Sequence, residues 1–166
     1  MDAIRVLVVE HNPSLSTLLA QAFHSESGFG VVSHASQVTH ALALLLDKRY
    51  DIVVMDVLLP DMGVLDAISL VLEKSPQSKI VLLADRDEAR YYQSAARYGA
   101  TACIRKDHLA TQLIPLVVKI AHQLPTLKVL GAGAPRPARD PIARPSEKIQ
   151  KSVHTLKEKV LSNVPA

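Results

Sequence analysis

The order of apolar segments predicts an α/β fold, with one parallel sheet covered by helices on both faces. In residues 1–124, five short apolar runs alternate with segments whose apolar residues recur at helical spacing. The connections between them are short, which favours right-handed strand–helix–strand crossovers. The chain has 166 residues, 48% of them hydrophobic and 21% charged, so it can bury a core and is not disordered throughout.

The five predicted strands are almost continuously apolar, which is typical of strands that are buried on both faces. Short runs of this kind, rich in β-branched residues, favour strands over helices. In chain order the predicted strands are Ile4–Val9, Phe29–Ser33, Asp51–Asp56, Lys79–Leu83 and Ala102–Ile104.

The helices between these strands are predicted from their boundary residues. Asn12 is a candidate N-cap with Pro13 as the first helical residue, and Ser36 is a candidate cap for the second helix. Gly99 ends the fourth helix, and Pro115 must lie in the first turn of the fifth helix or kink it. The helices are predicted from Pro13, from Ser36 through Leu46, around Ile68–Leu72, over Asp87–Tyr98 and over Thr111–Gln123.

Charge and composition divide the chain near residue 124. Residues 1–124 carry 11 Lys and Arg against 13 Asp and Glu, a net charge of −2, and residues 125–166 carry 8 against 3, a net charge of +5. We therefore predict a domain over 1–124, a linker rich in Pro, Gly and Ala over 125–145, and a basic amphipathic helical tail over 146–166. The narrow apolar stripe of the tail favours docking on protein, although a disordered extension with weak helical tendency is an alternative.

Several classes of protein are disfavoured by the composition. Apolar runs end well short of the roughly 20 residues that cross a bilayer, and the N-terminus has no secretory pattern, so no membrane association is expected. The single cysteine cannot form an internal disulfide, which favours the cytoplasm. With no Trp, two Phe and four Tyr, a stacking surface for nucleic acid is unexpected, and the excess positive charge belongs to the tail.

Charged side chains follow three of the predicted strands. Glu10 follows the first, Asp56 ends the third, and Lys106 follows the fifth. Functional groups of parallel sheets gather at the carboxyl ends of the strands, so these side chains should form one pocket. Carboxylates suit an oxygen-seeking cation such as Mg²⁺, a lysine suits a phosphoryl group, and a strand-end Asp can act as a nucleophile.

Residues 4–122 resemble the receiver domain of response regulators in two-component signalling. The resemblance rests on Val6–Glu10, on Asp51–Asp56 running into a loop with Pro60 four residues after Asp56, and on the stretches Ile80–Asp87 and Gly99–Asp107. It implies a flavodoxin-like doubly wound sheet of strand order 2-1-3-4-5.

The resemblance also implies roles for individual residues. Asp56 would accept a phosphoryl group from a histidine kinase or phosphotransfer protein, and Lys106 would pair with its oxygens. Glu10, Asp56 and the backbone carbonyl of Leu58 would hold Mg²⁺. Such a domain is a phosphoacceptor rather than an enzyme, apart from self-catalysed phosphoryl transfer and autodephosphorylation. A homodimer would use the face of the fourth helix, fifth strand and fifth helix.

Three residues depart from the family pattern. His11 replaces the second acid, which makes Mg²⁺ binding weak, because neutral imidazole suits this hard cation poorly. We interpret His11 as a substituted residue rather than a ligand. Ala84 replaces a hydroxyl-bearing residue, and Cys103, interpreted as a small core residue, replaces an aromatic one. These departures leave two alternatives: a phosphorylation-independent pseudo-receiver used for interaction or dimerisation, and the receiver part of a larger transcriptional regulator.

Overall fold

A computed structural model describes residues 3–85 and 91–123 of the chain. Its five strands form a single parallel sheet in the order β2-β1-β3-β4-β5, which confirms the predicted fold class and strand order. The strands are β1 (Ile4–Val9), β2 (Phe29–Ala35), β3 (Ile52–Asp56), β4 (Lys79–Ala84) and β5 (Ala102–Arg105). The helices are α1 (Pro13–His24), α2 (Val38–Asp47), α3 (Val64–Lys74), α4 (Tyr91–Tyr98) and α5 (Leu109–His122).

The sheet is buried on both faces, which explains why its central strands are apolar without interruption. Every residue of β3 is buried, and so are the last five residues of β4. One face packs against α1 and α5 in a cluster that joins alternate residues of the strands to the inward faces of these two helices. The cluster contains Val6, Val8, Leu19, Phe23, Ile52, Val54, Val81, Leu83, Ile104, Leu113, Val117 and Ile120.

The helix boundaries confirm some predicted signals and correct others. The Asn12 side chain caps α1 by accepting from the amides of Ser14 and Leu15 at 3.0 and 3.2 Å. Ser36 is not the cap of α2, since Gln37 occupies that position and makes no side-chain cap hydrogen bond. Helix α5 begins at Leu109, two residues earlier than predicted, so Pro115 is its seventh residue and lies beyond its first turn.

An acidic residue from a distant loop replaces the predicted cap of α2. The Asp61 carboxylate accepts hydrogen bonds from the amides of Val38 and Thr39 at 3.0 and 2.9 Å. These amides open the helix and have no partner within it, so a carboxylate there satisfies both donors and complements the helix dipole. The contact ties the loop after β3 to the start of α2.

An ion pair fixes the loop that leads into β3. Arg5 donates to the Asp51 carboxylate through its Nε and Nη2 atoms at 3.0 and 2.8 Å, and its backbone amide donates at 2.9 Å. Burial alone would raise the pKa of Asp51, but these hydrogen bonds and the charge of Arg5 together outweigh it and lower the pKa below its usual 3.8.

Two parts of the sequence prediction lie outside the described residues. These are the predicted start of the fourth helix at Asp87 and everything after residue 123, which includes the linker and the tail. Among the helices that are described, none is long and apolar enough to cross a membrane.

Replacing Gly99 with alanine should destabilise the domain more than the same change at Gly28. Gly99 ends α4 with φ +106°, where the amides of Gly99 and Ala100 bond back to Ala96 and Ala95 at 3.1 and 3.0 Å. A Cβ at Gly99 would lie 2.5 Å from Leu72 Cδ1, whereas Gly28 has φ +100° and open space around it. We expect urea denaturation to show a loss of roughly 1–2 kcal/mol for Gly28→Ala, from backbone strain alone, and a larger loss for Gly99→Ala. Equal losses would show that the Leu72 contact does not matter.

The stability contributed by Asp51 should depend on pH. Because the pKa of this carboxyl is lower in the folded state, its contribution is present above about pH 4 and is lost as the pH falls through the folded-state pKa. We expect Asp51→Asn to lower the free energy of unfolding by about 1 kcal/mol at neutral pH and by progressively less in acid. The measurement is urea denaturation across this range, with Asp47→Asn, at an exposed position, as the matched control. A difference that widens toward low pH would contradict the assignment.

Candidate functional site

Three charged side chains meet at the carboxyl edge of the sheet. Asp56 is the last residue of β3, Glu10 directly follows β1, and Lys106 directly follows β5. The Lys106 Nζ lies 2.8 Å from Asp56 Oδ2 and 3.7 Å from Glu10 Oε2. Both carboxylates are fully buried, and the lysine side chain is 19% exposed. The structure therefore brings together the three residues that the sequence singled out at the strand ends.

The site holds two buried carboxylates close to one cation, and each group changes the charge state of the others. Burial raises the pKa of Glu10, and the negative charge of Asp56 raises it further. The amide of Asn12, which donates to Glu10 Oε1 at 2.8 Å, lowers the pKa and so opposes both effects. Burial disfavours the Lys106 ammonium, but the hydrogen bond to Asp56 and the negative charges of Asp56, Glu10 and Asp85 together outweigh it and raise the pKa of Lys106. The lysine therefore stays protonated at neutral pH and holds the two carboxylates together.

His11 lies on the solvent side of the same cluster. Its Nδ1 is 3.3 Å from Glu10 Oε1 and 3.5 Å from Asp56 Oδ2, and half of the side chain is exposed. The three side chains offer ligand atoms that all lie within 4.8 Å of one another. The sequence analysis placed His11 at this edge, in the position of the second acid, but interpreted it as a substituted residue rather than a ligand.

The donor atoms suit a divalent cation but do not match the set that Mg²⁺ prefers. Glu10 Oε2 is buried without a hydrogen-bond donor, so one oxygen of the site has capacity for a cation. Mg²⁺ favours oxygen ligands in octahedral geometry, whereas His11 brings an imidazole nitrogen to the position where a second carboxylate would complete such a set. Leu58, the third predicted metal contact, donates its amide to Asp56 Oδ1 at 3.1 Å and so positions that carboxylate.

Ala84 and Cys103, the two other positions that depart from the family pattern, lie on β4 and β5. Ala84 ends β4, between the strands that carry Asp56 and Lys106, and its buried methyl group cannot donate a hydrogen bond. Cys103 is half-buried rather than the small buried core residue that the sequence predicts, and it interacts with Tyr92 of α4. Burial raises the pKa of Tyr92, and Cys103 raises it further. Tyr92 was missed because its only sequence signal was an aromatic residue in the middle of the helix predicted over Asp87–Tyr98.

Comparison with known proteins identifies the class to which this fold and site belong. Residues 6–118, more than half of the chain, match the response regulator receiver domain family. The chain belongs to this family, which is a signalling domain of two-component systems and has the flavodoxin-like sheet described above.

The individual relatives are regulators and their receiver domains. The transcriptional regulatory protein MctR of Rhizobium johnstonii is 25% identical over 118 residues, covering 71% of this chain and 55% of MctR. A protein-glutamate methylesterase/protein-glutamine glutaminase of Thermotoga maritima is 28% identical over 106 residues, covering 63% of this chain and 31% of that protein. The chain thus spans about half, or less, of the length of these relatives.

Solved structures agree on the fold. The response regulator domain of Thermotoga maritima CheB matches with a TM-score of 0.63 at 23% identity, covering 74% of this chain and 96% of that domain. A CheY-like receiver domain protein from Methanospirillum hungatei matches with a TM-score of 0.68 at 18% identity, covering 74% and 97%.

Replacing the Lys106 ammonium with an uncharged side chain should destabilise the folded domain. We expect Lys106→Met to lower the free energy of unfolding by about 2–4 kcal/mol, because it leaves two buried carboxylates facing each other. The pKa of Glu10 is already raised, so the folded state takes up protons more readily than the unfolded chain, and the deficit should shrink as the pH falls toward about 5.

Urea denaturation at several pH values measures this effect. The matched control is Lys48→Met, at an exposed position after α2, which should change stability by less than about 0.5 kcal/mol. A deficit for Lys106→Met that is independent of pH would show that carboxylate repulsion is not its cause.

Proposed function

We propose that Asp56 accepts a phosphoryl group and that the domain passes the signal on through protein contacts. The observation that carries this proposal is the Lys106 ammonium, 2.8 Å from the fully buried Asp56 carboxylate at the strand ends. A nucleophilic carboxylate beside a fixed cation is the arrangement that phosphoryl transfer requires, since its demands are positioning and neutralisation of charge.

In the proposed step, one oxygen of the Asp56 carboxylate attacks the phosphorus of a phosphohistidine on a histidine kinase or phosphotransfer protein. The new phosphorus–oxygen bond forms as the phosphorus–nitrogen bond breaks, and the imidazole leaves and takes up a proton. The product is an acyl phosphate on Asp56. Lys106 then pairs with the phosphoryl oxygens, which carry more negative charge than the Asp56 carboxylate carried before the transfer.

The buried ion pair also prepares the carboxylate before the transfer. The Leu58 amide donates to Asp56 Oδ1 while Lys106 donates to Oδ2, so both oxygens are oriented. Such preorganisation lowers the cost of reaching the reactive geometry. Because His11 stands beside these oxygens, we propose that Mg²⁺ binds only weakly.

A second function is favoured by Ala84 and Cys103. A domain without a hydroxyl at Ala84 has no side-chain donor there to follow the phosphoryl group. Cys103 engages Tyr92 of α4 instead of placing an aromatic ring on β5. These contacts support a pseudo-receiver whose partner binding does not depend on phosphorylation.

The proposed partners follow from the class of domain. A histidine kinase or phosphotransfer protein would dock at the strand ends, and the face of α4, β5 and α5 would serve a homodimer. The tail would dock on protein, in the cytoplasm and without nucleic acid. Since its relatives are longer, the domain can also be the receiver part of a larger transcriptional regulator.

Phosphorylation should occur at Asp56 alone. We expect incubation with a small phosphodonor, in Mg²⁺ and separately in Mn²⁺, to add the mass of one phosphoryl group to the intact chain. Asp56→Asn should abolish the adduct, because the amide is a far weaker nucleophile than the carboxylate. Intact-protein mass spectrometry measures it.

The control is Asp47→Asn, an exposed carboxylate on α2, which should leave the adduct unchanged. The absence of any adduct on the wild-type chain, under conditions that label an ordinary receiver, would exclude the acceptor role and leave the pseudo-receiver.

A further inference from the structure

The cluster of Glu10, His11 and Asp56 has the composition of a transition-metal site rather than a magnesium site. Two carboxylates and one imidazole supply oxygen and nitrogen ligands from three side chains. We propose that these three residues bind a first-row divalent metal of the zinc type in preference to Mg²⁺. This inference rests on the proposed function only in that it concerns the same site. Its test is separate, because metal binding needs no phosphodonor.

The spacing of the ligand atoms supports this assignment. His11 Nδ1 lies 3.3 Å from Glu10 Oε1 and 3.5 Å from Asp56 Oδ2. Ligand atoms about 2.1 Å from a tetrahedral metal lie roughly 3.4 Å apart. Adjacent ligands of an octahedral Mg²⁺ lie closer, at roughly 3.0 Å. Both nitrogen–oxygen distances therefore match the spacing around a tetrahedral ion, and all three ligand atoms lie within 4.8 Å of one another.

The hydrogen bonding of Glu10 supports a cation site independently of these distances. The Oε2 atom of Glu10 is buried and accepts no hydrogen bond, whereas Oε1, the oxygen that lies 3.3 Å from His11, accepts from the Asn12 amide. A buried carboxylate oxygen without a donor is costly, and a bound cation would remove this cost. The Lys106 ammonium, which pairs with Asp56 at 2.8 Å, lies 3.7 Å from this oxygen, beyond hydrogen-bond distance.

The choice of metal depends on His11. Imidazole is a common ligand of zinc and its neighbours, which bind nitrogen more strongly than Mg²⁺ does. The half-exposed ring also leaves the cluster open on the solvent side, where a catalytic-type site would keep a position for water. Residue 11 is therefore the position that selects the metal.

Titration of the full chain with metal ions tests the proposal. We expect Zn²⁺, measured by calorimetry in excess Mg²⁺, to bind with one-to-one stoichiometry, and Co²⁺ to give the visible absorption of a nitrogen- and oxygen-ligated ion. His11→Ala should weaken Zn²⁺ binding by about tenfold or more. His11→Asp, which restores an all-oxygen set, should strengthen Mg²⁺ binding by about tenfold relative to the wild type.

The matched control is His40→Ala, an exposed histidine on α2 outside the cluster, which should leave both affinities and the Co²⁺ spectrum unchanged. Zn²⁺ binding that is the same in His11→Ala as in the wild type would overturn the proposal. So would Mg²⁺ binding that is equally tight in the wild type and His11→Asp. Since no phosphodonor is present, these results are independent of whether Asp56 is phosphorylated.

Discussion

The contact between the Lys106 ammonium and two buried carboxylates is the interaction on which the functional edge of this domain depends. Glu10 directly follows β1 and Asp56 ends β3, and because these strands are hydrogen-bonded neighbours the sheet brings the two carboxylates together. Two buried negative charges placed side by side are unfavourable without a cation. Lys106, which follows β5 on the far side of β4, provides this cation. It thereby connects the ends of three strands through a single charged group.

The same edge shows where this receiver departs from its family. In the proposed function, the carboxylate of Asp56 and the ammonium of Lys106 provide the parts needed to take up a phosphoryl group. At the proposed metal site, His11 adds a nitrogen ligand to the two carboxylates, and Ala84 offers no side-chain donor next to the proposed acceptor. We propose that the first substitution alters which cation binds and that the second alters the response to phosphorylation.

Much of the fold could be predicted because the relevant interactions are local or periodic. The buried runs of β1, β3 and β4 alternate with helical patterns, and Asn12 and Gly99 act at the helix ends through contacts within a few residues. Ser36 was wrongly expected to cap α2, because the donors at that helix end are satisfied by Asp61, which lies more than twenty residues away. A local rule cannot detect a partner that arrives from another loop.

The sequence by itself determined the class of fold and the residues that gather at its carboxyl edge, because the carboxyl ends of parallel strands all lie at the same edge of the sheet. It also contained the substitution at His11. Only the tertiary structure decided that the imidazole approaches both carboxylates, that Glu10 keeps a buried oxygen without a donor, and that Tyr92 meets Cys103. Each of these depends on distances between side chains from different elements, and such distances follow from how helices and loops pack on the sheet.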